Sequence, residues 1–142
     1  MLIIVQPSKV TDYWPTFEGH IEQSLPPTAQ APGVDANQIL YSLMVGSAQC
    51  WLYTNAEQEL KGFLITSTYA DLSDVRTLML YNVVVFDKTV QVDWAQEFET
   101  LRRFAIERRC NRIAAFIANE KIVEMLHKWG ADTSFTYAVI DV

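Results

Sequence analysis

The chain has 142 residues, half of them hydrophobic and 12% aromatic, with only 5 Gly and 5 Pro; it is one domain's worth of globular sequence, neither disordered nor low in complexity. The formal net charge of -6 offers no broad basic surface and excludes a general nucleic-acid binder. No apolar run approaches the roughly 20 residues of a membrane span, and Leu2 to Val5 is too short and lacks the basic start of a signal peptide. With two widely separated cysteines, Cys50 and Cys110, both read as small apolar residues, the expected setting is intracellular and reducing.

Leu2 to Gln6 reads as a first strand. A helix follows to Leu25 on the stripe Trp14, Phe17, Ile21 and Leu25, and Pro15 places its start between Thr11 and Tyr13, within the first turn. Pro26 to Gly33 is a connector. Asp35 caps a second helix running to Val45, with Ile39, Leu40, Leu43 and Met44 inward and Gly46 past its end. Ala48 to Thr54 and Leu60 to Tyr69 form a hairpin, and after the polar turn at Ala70 to Val75 comes a long strand, Arg76 to Phe86.

A helix from Asp93 to Cys110 follows, with Trp94, Phe98, Leu101 and Ala105 inward. Its acidic residues precede its arginines, which complements the helix dipole and makes a solvated face. Arg112 to Ala118 is apolar on both alternating faces and reads as a central strand. Ile122, Met125, Leu126 and Trp129 then mark a helix that Asn119 caps and Gly130 ends, before a closing strand, Ser134 to Val142. The expected order is βααβββαβαβ, an α/β domain (an α+β mixed sheet) in three layers, helix/sheet/helix. Its edge strands leave a homo-oligomer open.

Asn119, Ile122, Met125, Leu126, Lys128, Gly130 and Ala131 sit in the spacing N-x-x-A-x-x-L-Y-x-K-x-G-F, which resembles the closing segment of the acetyl-CoA-dependent N-acetyltransferase (GNAT) fold. The element order extends the resemblance over nearly the whole chain, and the opening residues and GSAQCWLY also resemble small GNAT-like bacteriophage proteins. The resemblance implies three working features. The first is a pyrophosphate loop, Gln/Arg-x-x-Gly-x-Gly/Ala; with Gln91 at its first position the glycine positions fall on Trp94 and Gln96. The second is a general acid in the last helix, at Leu126 here, with His127 beside it. The third is a general base on the middle strands, yet Thr77 to Phe86 holds no carboxylate.

The candidates for catalysis are therefore Asn82, Tyr81 and His127, with Tyr69 and His20 behind them; Asn82 also reads as a structural group, and His20 and His127 as solvent-facing. If the family chemistry operates, Val83, Val84, Val85, Gln91, Val92, Asp93 and Asn119 would hold acetyl-CoA. The missing features favour a protein without a cofactor, a virion-associated module with protein partners, located in a host cytoplasm or a phage particle. The alternative is a divergent acetyl-CoA-dependent N-acetyltransferase.

Overall fold

The computed structural model describes residues 1–31 and 33–142; Pro32, within the expected connector, lies outside them. The elements are β1 (Leu2–Val5), α1 (Val10–Ile21), α2 (Ala36–Met44), β2 (Ala48–Thr54), β3 (Leu60–Ala70), β4 (Arg76–Val85), α3 (Trp94–Glu107), β5 (Arg112–Ala115) and α4 (Glu120–Lys128). Short 3-10 turns occupy Pro7–Lys9, Glu22–Ser24 and Pro27–Ala29. The five strands form one sheet in the order β1-β2-β3-β4-β5, antiparallel up to β4 and parallel between β4 and β5. None of the described helices is long and apolar enough to cross a membrane.

The middle strands are apolar on both faces because both faces are covered. On one side Val10, Phe17 and Ile21 of α1 and Leu43 of α2 pack with Cys50, Phe63 and Ile65. On the other, Leu101, Phe104 and Ala105 of α3 cover Trp51, Leu64 and Leu78. A polar chain lies between them: Trp51 Nε1–H donates to Thr66 Oγ1 at 3.0 Å, and that hydroxyl donates to Gln49 Oε1 at 2.9 Å. Gly62 lets β3 and β4 approach closely, since a Cβ there would collide with the Val84 carbonyl oxygen.

Four expectations are corrected. Helix α1 starts at Val10, so Pro15 stands in its interior and not in the first turn. β5 has 4 residues in place of seven, is half-buried, and pairs with β4 alone, so it is an edge and not a central strand. The cause is the third correction: residues 131–142 form neither helix nor strand, and Phe135, Tyr137, Val139 and Ile140 are exposed. A ring contact of 4.7 Å between Phe116 and Tyr137 places this segment beside the end of β5. Finally, Glu97, assigned to the solvated acidic face, is buried, and its Oε2 accepts the Leu2 N–H at 2.8 Å.

The interior proline yields a stability prediction. An alanine at position 15 restores an N–H that can donate to the carbonyl four residues back, on an exposed helix surface. Interior proline costs about 3 kcal/mol against alanine in a helix, of which its stiffening of the unfolded chain returns about 1 kcal/mol. Pro15→Ala is thus expected to stabilise by about 1–2 kcal/mol, read as a higher urea midpoint; a lower midpoint would show that the proline ring is used in packing.

Candidate functional site

The site is made by two strands that part. β4 and β5 are paired from Thr77 opposite Arg112 to Leu80 opposite Ala115. Beyond that, β4 runs on to Val85 while the chain leaves β5 toward α4. The parting begins at a bulge: Thr66 faces Leu80 but Ile65 faces Asn82, so Tyr81 is the extra residue. Past the bulge Phe86 N–H donates to Lys61 O at 2.9 Å, and Gly62 lies opposite Val85. Antiparallel alternation then makes Val84 a residue bonded to β3, and leaves the backbone groups of Val83 and Val85 directed into the gap.

The gap opens into a cavity of about 570 Å³. One wall is Tyr81 and Val83 to Val85; facing it are Phe116 to Asn119. The floor and roof on the α3 side include Leu80, Phe98 and Trp94, with Met125, Leu126 and Trp129 of α4 beyond them. Phe98 and Trp129 meet at 5.6 Å between ring centres. On the α1 side the cavity reaches Leu25, Pro26, Pro27 and Phe63.

Polar groups in these walls are few. Tyr81 is half-buried, and burial raises its phenol above the ordinary value of 10.0. Tyr53 is raised as well, by burial first and then by the carboxylates of Glu97 and Asp93. Among the described residues the charged lining groups are Glu97 and Lys121. Glu97 is engaged with Leu2 N–H and, through Oε1, with the Met1 amino group at 3.1 Å.

The sequence candidates separate. Tyr81, Val83, Val84, Val85, Val92 and Asn119 line the cavity, and Asn119 also caps α4, its Oδ1 accepting Lys121 N–H at 3.0 Å. Gln91 and Asp93 do not line it. Asp93 instead caps α3, where Oδ1 accepts Gln96 N–H at 3.2 Å. Asn82 is fully buried at the bulge; its Nδ2 donates to Ser24 Oγ at 2.7 Å, tying β4 to the end of α1, while Oδ1 has no partner. That bond is a structural role.

His127 is exposed and borders a shallow separate hollow with Val123, Glu124 and Thr133, one residue around the helix from Leu126. Tyr69 is exposed at the far end of β3, opposite Thr77, and lines nothing here. His20 is half-buried rather than solvent-facing, 5.0 Å from the Phe86 ring and 6.5 Å from Phe63. Sequence reasoning missed Tyr53 and Glu97; the only signal for the latter was its place one turn before Leu101 on the inward stripe. No cluster of potential metal ligands occurs among the described residues.

No protein-family model matches the sequence, nor does the sequence of any curated protein. Solved structures do match in shape. The ribosomal-protein-alanine N-acetyltransferase of Brucella melitensis biovar Abortus 2308 is 15% identical, with a TM-score of 0.68 over 100% of this chain and 99% of that one. A predicted acetyltransferase of Clostridium acetobutylicum, crystallised with acetyl-CoA, is 11% identical, with a TM-score of 0.67 over 99% and 95%. An aminoglycoside acetyltransferase from an uncultured soil metagenomic sample is 14% identical, with a TM-score of 0.67 over 100% and 97%. Such identities speak for the fold alone, and the fold is the GNAT fold, here with a mixed sheet of five strands and four α-helices. Neither the architecture nor these neighbours bears on the bacteriophage resemblance or on a virion role.

Proposed function

We propose that the protein is a divergent acyltransferase that moves the acetyl group of acetyl-CoA to an amine. One observation carries this: past the bulge at Tyr81, β4 turns the backbone groups of Val83 and Val85 into an apolar gap that β5 leaves open. Such an edge can bond the amides of a pantetheine arm as a neighbouring strand would. The three acetyltransferase neighbours, one holding acetyl-CoA, favour this reading over a cofactor-free virion module.

The fit is divided. The strand gap suits the amide-bearing arm. The N-terminus of α3 does not suit a pyrophosphate, because Asp93 already caps it, Trp94 is its first residue, and among the described residues the single cation in the wall is Lys121. Affinity for CoA is therefore expected to be weak. Asp93→Asn keeps a capping oxygen and removes the charge, so it should tighten CoA binding about two- to fivefold at low salt, given about 0.3–1 kcal/mol per charge at a helix terminus. Calorimetric titration with CoA checks this; equal affinities would place the phosphates elsewhere.

When bound, acetyl-CoA supplies an activated thioester carbonyl, whose C–S bond breaks as the amine forms its N–C bond. The apolar walls favour the neutral, nucleophilic form of the amine by disfavouring its ammonium. Tyr81 stands in the wall where the strands part. Its raised phenol keeps a proton to give to the leaving sulfur, and it recovers one from the nitrogen, so the proton shed by the amine ends on the thiol. No carboxylate base is required. The reading is tested by thiol release from acetyl-CoA in an amine screen, with a thermal shift on adding acetyl-CoA up to about millimolar. Absence of both effects would reject it.

A further inference from the structure

The proposal below rests on the acyltransferase reading and names the acceptor. We infer that the acceptor is a small apolar primary amine with one nitrogen, of the alkyl or arylalkyl class, and not a polycation. The α1-side end of the cavity is walled by Leu25, Pro26, Pro27, Phe63 and Tyr81, none of which carries a formal negative charge.

Its other polar side chains, Ser24 and Gln30, are neutral, and both bond within the protein. Ser24 Oγ donates to His20 O at 2.8 Å and accepts from Asn82 Nδ2 at 2.7 Å, and Gln30 Nε2 lies 3.5 Å from Leu25 O. Glu97, the only carboxylate in the cavity wall among the described residues, belongs to the opposite face of the sheet, where α3 covers Leu2 and Leu64. There it is bound to Leu2 N–H and the Met1 amino group. Lys121, in the first turn of α4, adds repulsion for a second positive charge.

An amine that reacts must shed its own proton, which an apolar wall assists. A second ammonium would be buried without a partner, which is costly. The same surroundings thus favour a lone amine on an apolar body and reject spermidine-like or aminosugar acceptors.

The test uses the whole protein, 2-phenylethylamine and spermidine, first by calorimetry without thioester and then by thiol release from acetyl-CoA. Phenylethylamine is expected to bind at least about tenfold more tightly than spermidine, a ratio that 1.4 kcal/mol supplies. Pro27→Glu places a carboxylate in the wall at an exposed position that opens a 3-10 turn, and it should narrow or reverse that ratio. Equal or tighter binding of spermidine by the unaltered protein overturns the proposal, as does failure of both amines to bind. Binding of phenylethylamine with neither thiol release nor a thermal shift from acetyl-CoA would leave the amine pocket standing and reject the acyltransferase reading. Turnover of spermidine in preference would do the reverse.

Discussion

Tyr81→Phe is expected to lower amine-dependent thiol release by about 10²–10³-fold while acetyl-CoA affinity changes less than about twofold, the range that loss of a positioned proton donor covers. The residue is the extra one at the bulge, the point at which β4 and β5 stop pairing, and it lines the cavity there. The substitution removes one oxygen and keeps the ring against the core formed by α1 and α2. Burial raises the phenol above 10.0, so the donating form persists through neutral pH and is lost only as pH rises through that raised value. If the proposed activity holds, the unaltered protein should accordingly show an alkaline fall in turnover, and the Phe variant should lack it. Shape alone would not move the pH profile. A loss below about threefold, with the alkaline limb intact, would remove Tyr81 from the chemistry.

The second large effect is on stability at alkaline pH. Cys50 is 1% exposed between Val5, opposite it on β1, and Ile65 on β3, and burial pushes its thiol from 9.0 up to about 12. The unfolded chain therefore sheds this proton above about pH 9 while the folded chain keeps it, so the folded state holds more protons across the window from 9 to about 12. Stability is complete below pH 9 and falls as pH rises, by up to about 1.4 kcal/mol per pH unit from this group. Cys50→Ala should start about 1 kcal/mol or more lower at pH 7, through lost packing, and should lose less between pH 9 and 10.5. Urea midpoints of both proteins at pH 7, 9 and 10.5 measure the difference, which cancels the contributions of Tyr81, Tyr53 and Lys61, all raised in the folded protein. Parallel curves would mean that the thiol ionises in the folded state as easily as in the unfolded one.

Most of the fold was legible from local pattern. Runs of strand-favouring residues bounded by polar turns located β2, β3 and β4 within a residue or so, because their side chains must serve two covered faces. Asp35 and Asn119 cap the helices they were expected to cap, since a short acceptor side chain before an amphipathic stripe is a local device. At the site, the sequence picked out Tyr81, the three valines, Val92 and Asn119 as candidates. It could not rank them against Asn82 or His127, whose roles depend on where Ser24 and α3 lie.

What the sequence determined by itself was thus the kind and place of each element, through propensities that act within a few residues, and the lack of a glycine loop at the α3 terminus. What the tertiary structure decided was every matter of partnership. SFTYAVIDV is rich in strand-favouring residues, yet a strand exists only where another backbone offers its N–H and C=O groups, and none of the described residues does so here. β5 became an edge for that reason, and Glu97 became buried because the Leu2 N–H, distant in sequence, was brought to it. The cleft itself is the plainest case. Its bonding groups are the main chain of Val83 and Val85, the same in every residue type but proline, so only the register against β3 and the early end of β5 reveal that they face the gap.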